Sequence, residues 1–171
     1  MARALGTYEG SLQEAIHHWK YEGKTSLTPF FAEWMAEGLK RYWPPDFFDL
    51  LIPVPLHLQR LRERGFNQAL LLVKELSRRT GTPYRKAILQ KKKPTVPQVN
   101  LSGTEREQGL RGAFQLMGEE ELVGRSLLLV DDVYTTGATV NECSKVLLRG
   151  GAKRVDVFTL AHAIKSSSFG D

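Results

Sequence analysis

The chain has 171 residues, which is enough for one domain that buries a hydrophobic core without the help of disulfide bonds. Its single cysteine, Cys143, has no partner within the chain, and its four histidines are too scattered for metal-ligand spacing. No segment approaches the roughly 20 apolar residues of a membrane span or the apolar run of a secretory signal, so we expect a cytoplasmic protein without a membrane span.

The formal net charge of +5 is concentrated in one segment. Residues 59–93 contain eleven Lys and Arg against two Glu, a local charge of +9, so the rest of the chain sums to −4. A basic segment of this kind indicates an anionic partner nearby, either small phosphates or nucleic acid.

Helical periodicity dominates the first 45 residues. Apolar residues recur at helical spacing from Leu12 to Trp19, and Thr28 before Pro29 is a suitable N-cap for a second helix that ends at the prolines 44 and 45. Residues 1–45 are therefore predicted to form an N-terminal helical extension of a single domain that spans residues 1–171.

The middle of the chain alternates between strand and helix patterns. The run "DLLIPVPL" (49–56) predicts a buried strand, and "HLQRLRERGFNQ" after it predicts a basic loop. A helix is predicted from Phe66 to Thr80, followed by a strand in "YRKAIL". Residues 90–111 have no steady period and carry Pro, Gly and charge throughout, which predicts a flexible flap over a site.

The last third of the chain continues the alternation. A short strand is predicted in "GAFQL", a strand from Ser126 to Val130, a helix from about Gly137 to Arg149, and a final strand in "RVDVFTLAHA". Such alternation favours an α/β fold with a mostly parallel, doubly wound sheet and helices on both faces. Because ligands of these sheets bind at the carboxyl ends of the strands, "RERGFNQ" and "DDVYTTGAT" are expected to converge on one site.

The segment "LLLVDDVYTTGAT" ends a predicted strand with two acids and a hydroxyl-rich turn. Thr135, Thr136, Gly137 and Thr139 lie where a helix begins, so hydroxyls, unpaired backbone N–H groups and the positive end of the helix dipole all suit a phosphate. Gly137 allows the backbone to come close to the anion. An ordinary capping turn, with Thr135 or Thr136 as the cap, is the alternative.

The adjacent Asp131 and Asp132 indicate a different kind of partner. Carboxylates beside a phosphate repel it unless they face hydroxyls or a hydrated divalent cation such as Mg²⁺. A ribose 5-phosphate with a metal ion nearby satisfies both the acids and the hydroxyl-rich turn.

The same segment resembles the phosphoribosyl pyrophosphate (PRPP) motif of the type I phosphoribosyltransferases. More narrowly, "YEGSLQEAIHHWKYEGK", "LIPVPLHLQRLRERGFNQA", "GAF" and this motif resemble the ComF family of competence-associated, phosphoribosyltransferase-like proteins over nearly the whole chain. The resemblance implies the type I phosphoribosyltransferase fold and PRPP as a ligand.

The resemblance also assigns roles by position. It implies that Asp131 and Asp132 are the catalytic acids, which meet the ribose hydroxyls and hold Mg²⁺ directly or through water. The residues implied to hold the 5-phosphate are Thr135, Thr136, Gly137, Ala138 and Thr139. The family's pyrophosphate loop falls on "ERGFN", which nominates Arg64, Gly65 and Arg60, since arginine presents a planar fork to phosphate oxygens. For Arg60 a solvated basic face is the alternative.

Two departures from the family pattern limit what the resemblance implies. Many ComF proteins carry an N-terminal cysteine zinc module, and this sequence has no cysteines for one, so no zinc is expected. Gly109 stands where the family often has an asparagine before "GAF", so any ligand contact made by that asparagine is missing here.

Two functions are open at this point. The first is an enzyme that transfers a phosphoribosyl group from PRPP to an unidentified acceptor and releases pyrophosphate. The alternative is a non-catalytic PRPP- or nucleotide-binding accessory factor in DNA uptake, which acts through a competence-machinery protein or single-stranded DNA. Only Phe66 and Tyr84 are aromatic in residues 59–93, so DNA binding depends on the resemblance rather than on an aromatic stacking surface.

The remaining candidates are weaker. His162 ends the last predicted strand and is a candidate for the border of an acceptor pocket. Cys143 is predicted to pack as a small apolar residue. Lys91, Lys92 and Lys93 are interpreted as a solvated loop run rather than as site residues.

Overall fold

The computed structural model describes residues 1–92, 109–118 and 122–164 of the chain. The helices in these residues are α1 (Gly10–Tyr21), α2 (Thr28–Tyr42), α3 (Leu58–Arg64), α4 (Gln68–Thr80) and α5 (Ala138–Arg149), with a 3-10 turn at Thr25–Leu27. The strands are β1 (Ala2–Thr7), β2 (Leu50–Pro53), β3 (Leu89–Lys91), β4 (Phe114–Leu116), β5 (Ser126–Tyr134) and β6 (Arg154–His162). None of the helices in these described ranges is both long and apolar enough to cross a membrane.

Four parallel strands form the central sheet in the order β1-β6-β5-β2. Beyond β2, Tyr84 adds an isolated parallel bridge to Leu51. A separate antiparallel pair is formed by β3 and β4. Since the four strands run in the same direction, their carboxyl ends meet along one side of the sheet, which we call the carboxyl edge.

Helices cover both faces of this sheet, and each face has its own hydrophobic cluster. On one face, α1, α2 and α4 pack against β5 and β6, and the largest buried residues there include Trp19, Met35, Leu72, Leu128 and Phe158. On the other face, α5 and the β3-β4 pair pack against β2 and β5 through residues that include Phe114, Leu127, Leu129, Cys143 and Leu147. A strand buried on both faces is apolar at successive positions, as Leu127–Val130 is. The predicted mostly parallel, doubly wound sheet is confirmed, and so is the packing of Cys143 as a buried core residue.

The N-terminal 45 residues are not purely helical, because β1 precedes the two predicted helices. Its sequence, ARALGT, has little of the β-branched character that marks a strand, and its pairing with the central strand β6 is what holds it. Thr28 was predicted as an N-cap but lies in the first turn of α2, where its hydroxyl accepts a hydrogen bond from Trp19 Nε1 at 3.0 Å.

The predicted basic loop after β2 contains the short helix α3. His57 caps its start, with Nδ1 accepting from the Gln59 N–H at 3.2 Å, and Gly65 ends it with φ of 78°. The strand predicted in "YRKAIL" lies later, in β3, which begins at Leu89. The predicted flap at 90–111 lies mostly outside the described residues, since only 90–92 and 109–111 are described.

Candidate functional site

Strand β5 carries the two acids to the carboxyl edge. It was predicted to end at Val130, but it continues to Tyr134 because its pairing with β6 continues, with Asp131 opposite Thr159 and Tyr134 opposite His162. Consecutive side chains of a strand point to opposite faces. Asp132 therefore faces α1, and Asp131 faces the side covered by α5 and β3, although the two carboxylates remain near enough to interact electrostatically.

Asp132 has a cation as its partner. Its Oδ1 lies 2.8 Å from Nζ of Lys20, in the last turn of α1, and the two side chains are only 12% and 13% exposed. This ion pair was not predicted, because Lys20 is 112 positions away along the chain and looks like any other lysine at the end of a helix.

Asp131 is less well compensated. Its Oδ1 accepts a hydrogen bond from the backbone N–H of Asp132 at 2.9 Å. Desolvation, and secondarily the negative charge of Asp132, raise the pKa of Asp131 to about 7, while Lys20 and Lys91 act in the opposite direction. A desolvated carboxylate of this kind would be stabilised by a ligand hydroxyl or a cation that takes the place of the lost water.

Lys91, at the end of β3, lies within electrostatic range of Asp131, of the Cys143 thiol and of Arg60. Burial lowers the pKa of this lysine, and its ammonium group lies 5.6 Å from the ring centre of Phe114. It was interpreted as part of a solvated run, but the structure places it beside the candidate site. Lys93 lies outside the described residues.

The hydroxyl-rich turn lies between β5 and α5, as predicted. Gly137 is the N-cap residue of α5 with φ of 78°, and a Cβ atom there would come within 2.3 Å of the Tyr134 hydroxyl. Thr136 Oγ1 accepts from the Ala138 N–H at 3.4 Å, which is the contact expected of a capping turn. Thr135 is exposed and Thr139 half-buried, so both hydroxyls remain near the start of the helix.

The predicted pyrophosphate loop is the end of α3 and the turn that follows it. Arg64 donates from Nη1 to Gln68 Oε1 and from Nη2 to the Tyr21 hydroxyl, both at 3.3 Å, and its guanidinium group lies 5.0 Å from the Tyr21 ring centre. Arg60 instead forms an exposed ion pair with Glu63, consistent with its alternative as a solvated basic residue. Gly65 makes the left-handed turn between α3 and α4.

Two donors beside this turn have no hydrogen-bond partner in the described part of the chain. They are Arg64 Nε and Gln68 Nε2, both buried, and Gln68 is only 1% exposed. The orientation of the Gln68 amide follows from its neighbour, because its oxygen accepts from Arg64 and leaves the NH₂ group unpaired. Unpaired buried donors are costly, so they suit a site that an anion completes.

The last turn of α1 joins the two predicted halves of the site. Lys20 contacts Asp132 of the predicted PRPP motif, and the next residue, Tyr21, contacts Arg64 of the predicted pyrophosphate loop. Lys20, Tyr21 and Gln68 were not identified from the sequence. For Gln68 a signal was available, since it follows the N-cap residue Asn67 and begins α4, where backbone N–H groups attract anions.

The acidic side chains at the carboxyl edge supply only part of the ligands that a magnesium ion needs. Within the described ranges no three His, Cys, Asp or Glu side chains lie close enough together to hold a metal ion. Asp132 is paired with Lys20, whereas the carboxylate of Asp131 accepts a hydrogen bond from the backbone N–H of Asp132. One or two carboxylates with water suit Mg²⁺ that arrives on the phosphates of a ligand rather than an ion held by the protein alone.

His162 lies at the carboxyl edge, where it ends β6 opposite Tyr134. Its side chain is exposed, and its ring centre is 5.3 Å from that of Tyr134, next to the hydroxyl-rich turn. A cavity of about 600 Å³ lined by Trp43, Phe47 and Phe48 lies at the opposite, amino end of the sheet. It is therefore separate from the acids.

Comparison with known proteins identifies related sequences. The profile of the phosphoribosyl transferase domain matches residues 67–168, which include the two acids and the turn but not Arg60, Arg64 or Gly65. Competence protein F of Haemophilus influenzae is 43% identical over 163 residues, which are 93% of this chain and 71% of that protein. DNA utilization protein YhgH of Escherichia coli (strain K12) is 39% identical over 163 residues, 94% of this chain and 71% of that protein.

Among solved structures, the glutamine PRPP amidotransferase from B. subtilis, in complex with ADP and GMP, aligns with a TM-score of 0.48 and 21% identity. The alignment covers 79% of this chain and 25% of that one.

Proposed function

This chain belongs to the ComF family of competence-associated proteins with a phosphoribosyl transferase domain, and we propose that it binds PRPP with Mg²⁺ at its carboxyl edge and transfers the phosphoribosyl group to an acceptor. The chain has the type I phosphoribosyltransferase fold, and the segment that resembles the PRPP motif lies at this edge. The observation that carries the proposal is the delivery of two adjacent acids by β5 directly before a glycine turn that starts α5.

The two halves of the site suit the two ends of PRPP. The 5-phosphate would lie in the turn formed by residues 135–139, where the first N–H groups of α5 and the hydroxyls of Thr135 and Thr139 are available. The pyrophosphate would lie near Arg64, where the unpaired Nε of that residue and Nε2 of Gln68 are donors in need of an acceptor. The ribose hydroxyls would then lie against Asp131 and Asp132.

In the transfer reaction, the bond between the anomeric carbon and the pyrophosphate oxygen breaks as the acceptor forms a new bond to that carbon. Bound Mg²⁺ would supply charge neutralisation for the leaving pyrophosphate. The protein's own residues would hold both phosphate ends in place and stabilise the cationic, ribosyl-like transition state, chiefly by positioning and by charge. The negative charge of the acids beside the ribose suits that cation.

A second candidate function is a PRPP-binding accessory factor in DNA uptake that has little or no turnover. The observation in its favour is the names of the relatives, which refer to competence and to DNA utilization rather than to a transfer reaction. A competence-machinery protein or single-stranded DNA would then be the partner. The local charge of +9 suits DNA, although two phosphate ends of a small ligand also need several cations.

Calorimetric titration with PRPP and Mg²⁺ tests the binding step common to both functions. We expect saturable binding by the wild-type chain and a loss of about 100-fold or more in the Asp131→Asn, Asp132→Asn double variant, because charge-assisted hydrogen bonds are worth roughly 1.5–3 kcal/mol each. Glu37→Gln, in an exposed ion pair with Lys40 on α2, is the matched control and should bind as the wild type does. Equal affinity of the wild type and the double variant would refute the site.

Pyrophosphate release in the presence of a panel of bases then separates the two functions. Release that depends on one acceptor supports the transferase. Tight PRPP binding without release for any acceptor supports the accessory factor, and binding of single-stranded DNA in the same preparation identifies its partner class.

A further inference from the structure

The last turn of α1 holds the PRPP motif through a contact that the motif itself does not contain. Lys20 Nζ lies 2.8 Å from Asp132 Oδ1. Building on the proposed function, we infer that Lys20 is a positioning residue of the PRPP site, which acts on the ribose through Asp132. It neutralises one of the two adjacent carboxylates and fixes that side chain in one orientation.

The burial of this ion pair distinguishes it from the others in the described residues. Lys20 and Asp132 are 13% and 12% exposed, whereas each of the other ion pairs there includes a side chain that is at least 25% exposed. Exposed pairs are screened by water and contribute little. In a buried pair the loss of one partner leaves an uncompensated charge, so the orientation of Asp132 depends on Lys20.

The position of Lys20 is itself fixed by packing. The preceding residue, Trp19, is fully buried, packs on Phe31 with ring centres 5.1 Å apart, and donates to the Thr28 hydroxyl. Ile16, one turn earlier, is also fully buried. A lysine at the end of a helix is favoured by the helix dipole wherever it points. That preference does not explain why this side chain reaches over the sheet to β5.

The consequence for the ligand is an asymmetric pair of acids. Asp132 has a cation in contact, while Asp131 accepts a hydrogen bond from a backbone N–H. PRPP carries several negative charges, so compensation of one carboxylate reduces repulsion at the ribose. A side chain already held in place also loses less freedom when the ligand binds.

The test compares two probes in the full chain, PRPP with Mg²⁺ and inorganic pyrophosphate with Mg²⁺. For Lys20→Met we expect PRPP affinity to fall about tenfold or more, since a charge-assisted contact is lost, and Lys20→Arg to recover part of it. Pyrophosphate has no ribose, so its affinity should stay within about twofold of wild type. Lys24→Met, which removes an exposed ion pair with Glu22 just beyond the same turn, is the matched control and should leave both affinities unchanged.

The outcomes separate this inference from the proposed function. If the wild-type chain does not bind PRPP, the proposed function fails and the inference fails with it. If the wild type binds but Lys20→Met has wild-type affinity, or loses both probes equally, only the role of Lys20 is refuted.

A double variant keeps the test decisive if Lys20→Met does not fold. Lys20→Met with Asp132→Asn removes both charges of this ion pair together, and we expect it to bind PRPP as Asp132→Asn alone does, because Lys20 acts through Asp132. If the losses of PRPP affinity from Lys20→Met and Asp132→Asn added in the double variant, Lys20 would not act through Asp132.

Discussion

The amino end of the sheet holds its buried acid differently from the carboxyl edge. Asp156, near the start of β6, is fully buried and accepts from Trp43 Nε1 at 3.2 Å and from Arg154 Nε at 2.9 Å. The guanidinium group of Arg154 lies in turn 4.7 Å from the ring centre of Phe47. At the carboxyl edge, by contrast, Asp131 accepts from the backbone N–H of Asp132, and Arg64 and Gln68 have buried donors without a partner in the part of the chain that the structure describes.

The difference favours a stabilising role for the amino end and a ligand-binding role for the carboxyl edge. A polar network whose groups are paired stabilises the fold, and it gains nothing from an added molecule. Unpaired donors and a poorly solvated carboxyl group lower stability until something binds to them. Changes at the amino end should therefore affect unfolding, and changes at the carboxyl edge should affect binding.

The largest effect is expected for Trp43→Ala at the amino end. Trp43 is 5% exposed and packs on Phe48 and Phe158, with ring centres 5.3 and 5.4 Å apart. Its removal should lower the free energy of unfolding by about 3–5 kcal/mol, as measured by urea denaturation. Trp34 is 41% exposed, so Trp34→Ala is the matched control and should lower the free energy of unfolding clearly less.

PRPP affinity of the folded Trp43→Ala chain should equal that of the wild type. If Trp43→Ala lost as much PRPP affinity as the Asp131→Asn, Asp132→Asn double variant, the assignment of stability to the amino end and of binding to the carboxyl edge would be contradicted.

A smaller effect is expected for Gly137→Ala at the carboxyl edge. The φ of 78° costs a residue with a side chain about 1–2 kcal/mol, and the new methyl group would displace the Tyr134 hydroxyl from its place. We expect this loss of stability in urea denaturation together with weaker PRPP binding in calorimetry. Gly109→Ala is the matched control, since Gly109 has no positive φ and open space around its Cβ position. If Gly137→Ala and Gly109→Ala lost similar stability and PRPP affinity, the turn at Gly137 would have no special requirement for glycine.

The smallest effect is expected in the pH dependence of Asp131→Asn. Because the pKa of Asp131 is raised to about 7 in the folded chain, above its value in an unfolded chain, the folded state holds this proton more tightly. Ionisation therefore costs stability as the pH rises from the unfolded pKa, about 4, toward the folded pKa, and the full cost is present above it. Asparagine cannot ionise.

Thermal unfolding without metal or ligand measures this effect. The variant should gain stability relative to the wild type as the pH rises from about 4 to about 8. The gain is limited because the hydrogen bond from the Asp132 N–H and the charges of Lys20 and Lys91 favour the ionised form and offset part of the desolvation. A difference between the two chains that falls with rising pH would contradict the raised pKa.

The sequence predicted those parts of the fold in which local pattern and packing agree. Helices α2, α4 and α5 follow from periodicity and end signals, with Gly81 ending α4 in a left-handed conformation as expected. Strand β1 was missed because its six residues have no strand pattern of their own and depend on β6. Helix α3 was missed because it is short and has no buried residue.

The same limit applies to the candidate site. Asp131, Asp132 and Gly137 were identified because they are close together in the sequence and form one motif. Lys20 and Tyr21 were not, because their contacts with Asp132 and Arg64 arise only when α1 packs beside β5 and α3. The opposite orientation of the two acids was not predicted either, because the strand was expected to end at Val130, whereas β5 continues through both acids.

The pairing of β1 with β6 has a consequence for how the chain folds. Ala2 lies opposite Val157, so the contact closes a loop of most of the chain. Contacts between distant residues are slow to form, because the entropy of the intervening chain is lost before they stabilise it. During synthesis, β6 leaves the ribosome after the other strands that the structure describes, so β1 must wait for the strand with which it pairs. We therefore expect the sheet to be completed only after β6 has been translated, with an exposed apolar face until then.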